Sequence, residues 1–316
     1  MSDGTPKRII IDTDPGVDDS MAILLAFNSP EVKIEGLTTV FGNTGVDITT
    51  KNTLHLVELA GKPEVPVAAG ASKPMLRPYT GEGWKVHGRN GLGEVDFPEP
   101  KGSPDRRHAA QFIIDMVMAH PGEITLIPLG PLTNIALAVL LEPRIATNVK
   151  EVVLMGGVAM NPGNASPVAE ANIHNDPEAA HIVFHAGWPV TMVGLDVTHK
   201  SEINSAYMEQ LKAANNRFTD FIYAISQHYM NLYRTRGIDG MPVHDSSAVA
   251  YVLDPTLFQT KKVYVDVEYH SPFHHGQTVA DWRGQRNREP NVNVCVDVDS
   301  ARFLHMYRQR LTEPML

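Results

Sequence analysis

The segment Ile11-Asp-Thr-Asp-Pro-Gly-Val-Asp-Asp-Ser20 packs four carboxylates into a short stretch: Asp12, Asp14, Asp18 and Asp19. Asp12 and Asp14 stand two apart at the carboxyl end of a β-branched run, so strand alternation lets their side chains share a face. Pro15-Gly16 turns the chain, and Asp18 and Asp19 open the helix that follows. Carboxylates folded this close repel and raise one another's pKa. A helix cap accounts for one of them; four point to a hard cation bound through oxygen. Such an ion lowers the pKa of a ligated water, and a neighbouring carboxylate can take the proton, which is the chemistry of hydrolysis. The lone cysteine, Cys295, excludes an internal disulfide and a multi-cysteine zinc centre, and the expectation that no His-x-x-x-His pair occurs tilts further away from zinc.

Two further polar groupings lie far downstream. His244-Asp245 precedes an apolar helix over 246–253. There Asp245 reads as another strand-to-helix ligand or as a helix cap, and His244 by itself is more often a structural histidine. The stretch Gly163-Asn-Ala-Ser-Pro-Val-Ala-Glu-Ala-Asn172, followed by Asn175-Asp176, is dense in amides and carboxylates. That suits a ligand with many hydroxyls, such as a sugar. Alone it would read as a solvated loop whose Asn and Asp satisfy turns.

These groups need a frame that gathers the ends of several elements. Runs at 8–12, 32–40, 124–127, 151–155 and 190–193 read as strands, and 20–27, 47–60, 132–141 and 178–185 as helices. Strands separated by helices imply crossovers, hence a doubly wound α/β fold, a mostly parallel sheet flanked by helices on both faces. In such sheets ligands sit beyond the carboxyl ends of strands, where the four carboxylates fall. From 198 to 251 the chain is mostly helical, then strand-like over 256–267 and 292–298, with Cys295 as a buried structural thiol. No linker composition intervenes, so 1–316 reads as a single domain. The Gly- and Pro-rich stretch 70–104, with Trp84, His87 and Arg89, and the polar stretch 156–175 are long loops of the kind that carry function.

A net charge of −9, from 27 Lys and Arg against 36 Asp and Glu, argues against a general polyanion binder, and no nucleic-acid partner is expected. No run of about 20 apolar residues and no signal-peptide pattern occur, so no membrane partner and a cytoplasmic location are expected.

As a set, these motifs resemble the inosine–uridine nucleoside hydrolase family, over nearly the whole chain. Asp12-Thr-Asp-Pro-Gly-Val-Asp-Asp19 resembles its specific N-terminal fingerprint, and Thr38-Thr-Val-Phe-Gly-Asn43 its second strand with a site asparagine. Leu129-Gly-Pro-Leu-Thr-Asn134 looks like its central strand-turn-helix. Met155-Gly-Gly157, Asn164, Glu170 and Asn172 are similar to its sugar-binding loop, and His244-Asp245 to its late motif.

The resemblance implies hydrolysis of the N-glycosidic bond of ribonucleosides to free base and ribose, with purine, pyrimidine or both as the base. It implies a calcium ion (Ca2+) held by Asp14, Asp19, Asp245 and the backbone carbonyl of Leu129. Ribose would be held by Asp18, Asn43, Asn164, Glu170 and Asn172, with Met155 along the sugar. His87 matches a mobile histidine that closes over the base, and Tyr229, Tyr233 and Arg234 lie in a second mobile segment. The mobile loops are therefore expected at 70–104 and 223–243. A homodimer or homotetramer serving nucleoside salvage is expected on the same ground.

Breaking a C1′–N bond builds positive charge on the ribose and needs an activated water, a stabilised sugar cation and a protonated or hydrogen-bonded leaving base. Asp14 is the expected general base, Asn43 and Glu170 would support the sugar, and the resemblance places His244 near the leaving base as donor. Calcium is preferred to magnesium because substrate hydroxyls would bring the ligand count above about six. Two rivals start from the same residues. One is an aspartyl-phosphate phosphatase, suggested by Asp12-Thr-Asp14, which leaves the sugar-type loop without a role. The other is a calcium-stabilised nucleoside sensor that lacks turnover.

Overall fold

Ile9, Ile10 and Ile11 are fully buried, which requires a strand covered on both faces. Alternation sends Ile9 and Ile11 into one core layer and Ile10 into the other. In the computed structural model, which describes residues 5–81 and 83–314, this strand lies inside an eight-stranded sheet, third from one edge.

In chain order the strands are β1 (Lys7–Thr13), β2 (Val32–Thr39), β3 (Val67–Ala69), β4 (Ile124–Pro128), β5 (Glu151–Met155) and β6 (Val190–Val193). Then come β7 (Glu202–Ile203), β8 (Met241–Pro242), β9 (Phe258–Val263), β10 (Val265–Glu268), β11 (Gln277–Ala280) and β12 (Val292–Val298). Across the main sheet the order is β3-β2-β1-β4-β5-β6-β12-β9. Every neighbouring pair is parallel except the last, where β9 closes the edge antiparallel to β12. β7 pairs with β8 and β10 with β11 as small antiparallel ribbons.

The doubly wound, mostly parallel, single-domain fold expected from the sequence is the fold observed, and Cys295 is buried in β12. From β1 the chain winds outward through β2 and β3, then returns to β4 on the opposite side. That reversal opens a crevice at the carboxyl ends of β1 and β4. Helix Val17–Phe27 leaves β1 at this crevice and packs against helix His244–Leu253.

Several boundaries differ from the sequence reading. The late apolar helix begins at His244 rather than after Asp245, with Val243 as its N-cap, so Asp245 is a first-turn residue and not a cap. The stretch 70–104 contains a one-turn helix, Trp84–His87, and 156–175 ends in helix Ala171–Asn175. Helices Ala109–Ala119 and Ser300–Thr312 complete the outer layers. Among the described residues no helix is long and apolar enough to cross a membrane.

Candidate active site

Asp19 is the third residue of helix Val17–Phe27 and turns back onto the strand end. Its Oδ1 accepts from Thr13 Oγ1 (2.6 Å) and Asp14 N (3.2 Å). Its Oδ2 accepts from Gly16 N (3.1 Å) and Asn43 Nδ2 (2.9 Å). Asp14 lies beside it, with Oδ2 accepting from Asn43 N at 2.6 Å and Oδ1 buried without a partner. Gly42 and Gly130 close on this carboxylate, and a Cβ at either position would overlap it.

Asp18, Asp19 and Asp245 present carboxylate oxygens within 4.8 Å of one another, all buried. Asp18 Oδ1 also lacks a hydrogen-bond partner, and its sole ion-pair neighbour among the described residues is His87 Nδ1 at 3.7 Å. Burial is the main cause that raises every carboxyl here, reinforced by mutual repulsion at Asp14, Asp18 and Asp245. Asp18 is pushed up to about 8, Asp14 and Asp245 well above the carboxylate range, and Asp19 upward against its many donors. Such a set is costly unless a cation enters it. The donors are all oxygen, and two buried oxygens are unpartnered, so the residues fit a hard divalent ion.

Asp12 corrects the sequence expectation of four converging acids. Its side chain follows Ile10 into the opposite layer, where Oδ1 accepts from Thr38 Oγ1 (2.5 Å) and Asn134 Nδ2 (2.8 Å). Burial lifts it to about 7. It ties β1 to β2 and to helix Thr133–Leu141.

Above the acids lies a cavity of about 390 Å³. Of the residues singled out in the sequence, Asp18, Asn43, His87, Leu129, Met155, Asn164, Glu170, Asn172, Tyr229, Tyr233, His244 and Asp245 line it. Asp14 and Asp19 lie below this lining. Glu170 is the N-cap of helix Ala171–Asn175 and accepts from the backbone N–H groups of Gly157 (2.9 Å), Asn172 (2.9 Å) and Ile173 (3.2 Å). Burial outweighs those bonds and raises it to about 7. Asn172 Nδ2 donates to the carbonyls of Leu129 (2.6 Å) and Met155 (3.1 Å), joining β4 and β5 under the cavity. Asn164 Oδ1 accepts from Ala171 N at 2.9 Å.

The two histidines are neutral. Burial drives both His87 and His244 down to about 3, helped by His228 beside His87 and His199 beside His244. His87 Nδ1 accepts from Val17 N at 3.2 Å, at the start of the helix that presents Asp18 and Asp19. His244 Nδ1 pairs with Thr198 Oγ1 at 2.8 Å.

Arg234 does not reach the cavity. It bonds Asn231 and Ser205 on the exposed side of helix Arg217–Thr235. Tyr229 and Tyr233 share the inward stripe of that helix, and one turn on Arg236 takes the place expected of Arg234. Lys85 and His174 also line the cavity and were not singled out in the sequence. For Arg236 the signal was available in the helical period.

A family profile described as inosine-uridine preferring nucleoside hydrolase matches residues 9–305. Over 300 residues the chain is 46% identical to the inosine-uridine preferring nucleoside hydrolase of Leishmania major, covering 94% of this chain and 95% of that protein. Among solved structures it is similar to a plant nucleoside hydrolase, with TM-score 0.94, 36% identity and coverage of 98% and 100% of the two chains. It is also similar to the purine-preferring ribonucleoside hydrolase from Gardnerella vaginalis, with TM-score 0.93, 35% identity and coverage of 97% and 98%.

Proposed function

Because the chain belongs to the inosine-uridine preferring nucleoside hydrolase family and is a nucleoside hydrolase, we propose that it cleaves both purine and pyrimidine ribonucleosides at a calcium centre. The observation that carries this reading is the group of buried, partly unpartnered carboxylate oxygens beneath a cavity lined by amides and Glu170. Asp14, Asp19, Asp245 and the Leu129 carbonyl would hold the ion, with Asp18 completing the acidic surround. When bound, calcium would neutralise these acids, polarise a water and chelate neighbouring ribose hydroxyls.

Asp14 is the general base. Its Oδ2 is anchored by Asn43 N–H, and Oδ1 is left to accept the proton of the attacking water. Asp18, Asn43, Asn164 and Asn172 take the ribose hydroxyls, with Met155 against the apolar face of the sugar. Glu170, fixed by three backbone N–H groups, sets negative charge beside the ring as it becomes cationic.

His244 is neutral, so it acts on the leaving base as a hydrogen-bond donor and not as an imidazolium. If the Thr198 hydroxyl donates to Nδ1, the Nε2 proton is free for the base. His87, Tyr229, Tyr233 and Arg236 cover the base end and exclude water. The segments 70–104 and 223–243 part to admit substrate, the first released when His87 leaves the Val17 amide. Acceptance of either base class is supported by the relatives, one named for inosine and uridine and one for purines. A cytoplasmic dimer or tetramer in nucleoside salvage belongs to the same reading and rests on family membership.

The test is ribose released from inosine, adenosine, guanosine, uridine and cytidine, with calcium and after chelation. Release from at least inosine and uridine, lost on chelation and restored by calcium, is expected. Release indifferent to chelation overturns the metal centre, and release from one base class alone overturns the broad specificity.

A further inference from the structure

Outside the cavity, helix Pro177–Phe184 with its C-cap and strand β10 bring His181, His185 and Asp266 together. The histidines are four residues apart, which puts them one turn apart on the same side of the helix. One nitrogen from each ring and one carboxylate oxygen all lie within 4.8 Å of one another. His181 Nδ1 is 3.2 Å and His185 Nε2 3.8 Å from Asp266 Oδ1. Ligands about 2.0–2.2 Å from a tetrahedral zinc ion stand roughly 3.3–3.5 Å apart. Small side-chain adjustments would close this group on one ion.

The hydrogen bonds orient His185 as a ligand. Its Nδ1 lies 2.9 Å from the His181 carbonyl, which can only accept, so Nδ1 bears a proton and Nε2 is the nitrogen left to face a metal. Anchoring one ring nitrogen to a carbonyl is how a metal-binding imidazole is held. Nε2 faces Asp266 Oδ1, itself an acceptor, and Tyr264 Oη at 3.3 Å. Tyr264 has a single proton and also stands 3.4 Å from Asp266 Oδ2, so it cannot satisfy both.

We propose that His181, His185 and Asp266 form a second metal site, for a divalent transition ion such as zinc. Its two imidazoles separate it from the oxygen-only centre beneath the cavity, since calcium takes oxygen ligands and imidazole suits zinc. Three protein ligands leave the fourth tetrahedral position open. The same helix anchors the start of the 70–104 segment, through Asp176 Oδ2 to Met75 N and Glu178 to Arg77. A bound ion would clamp that anchor to β10.

The test is zinc titrated into the chelator-treated, calcium-saturated full-length protein, with bound zinc counted per chain. One zinc is expected in the parent, and none in the His181→Ala/His185→Ala double variant, whose calcium-supported ribose release stays intact as proof of folding. Cobalt in place of zinc should give the visible absorption of a tetrahedral nitrogen–oxygen site, absent from the double variant. Asp266→Asn, which keeps the shape, should weaken zinc at least about 10–100-fold, and it decides the matter should the double variant fail to fold. Zinc binding equal in parent and variants, or none in the parent, overturns the site.

Discussion

Carboxylates on the outer surface and carboxylates beneath the cavity meet opposite fates. Asp105 lies in the grip of the Arg107 guanidinium, which draws it down to about 2, and Arg144 does the same for Glu142. Asp14, Asp18, Asp19 and Asp245 are surrounded by apolar core and by one another, and their pKa values rise. Cations are not scarce, since the chain has 27 lysines and arginines, yet among the described residues none is ion-paired with these four acids. The fold satisfies surface charge internally and leaves one buried charge for something that arrives from outside.

The largest expected effect tests the buried side of that contrast. Asp14→Asn keeps the volume and removes the proposed base, so kcat should fall on the order of 100- to 10,000-fold with KM little changed. Steady-state ribose release checks it, and near-parent turnover at saturating calcium would remove Asp14 as base.

A smaller effect lies in stability. With the metal removed, Asp12 and Glu170 at about 7 and Asp18 at about 8 keep protons in the folded protein that the unfolded chain has already lost. The folded state then binds more protons, so stability falls as pH rises through this range. His87 and His244, held down to about 3, act in the opposite sense below about 6.5, where the unfolded chain protonates and the folded protein does not. The window free of that opposition runs from about 6.5 to 8, where Tm of the calcium-free protein should drop by several degrees and calcium should flatten the slope. A calcium-free Tm that climbs across that window breaks the contrast.

The smallest effect belongs to the surface. Asp105→Asn removes a half-buried pair that solvent still screens, so turnover should hold and Tm should move by no more than a few degrees. A large loss in thermal melting would mean that the surface pairs matter as much as the buried acids.

Much of this was legible before any coordinates. Each central strand is a short β-branched run bounded by a helix, and a parallel sheet has one functional end, so the acids at 12–19 mark the site. What escaped was orientation. Asp12 and Asp14 look alike in sequence, but only the packing of Ile10 against the Thr133–Leu141 layer turns Asp12 toward Asn134. Likeness to relatives leads to the Tyr229–Tyr233 helix, whereas rotation about its axis chooses Arg236 over Arg234. His181-Ile-Val-Phe-His185 is a His-x-x-x-His pair, contrary to the expectation that none occurs. Their partner Asp266 stands 85 residues from His181, and periodicity does not reach that far.

The acidic centre also draws on distant parts of the polypeptide, Asp14, Asp18 and Asp19 just after the first strand and Asp245 at the start of helix His244–Leu253. On the ribosome the first three are made long before the last, so a nascent chain has no complete ion site until that helix has emerged. On the proposed reading, ion occupancy would report that synthesis has passed residue 245, and a product cut short before it would lack a ligand however well its first strands have formed.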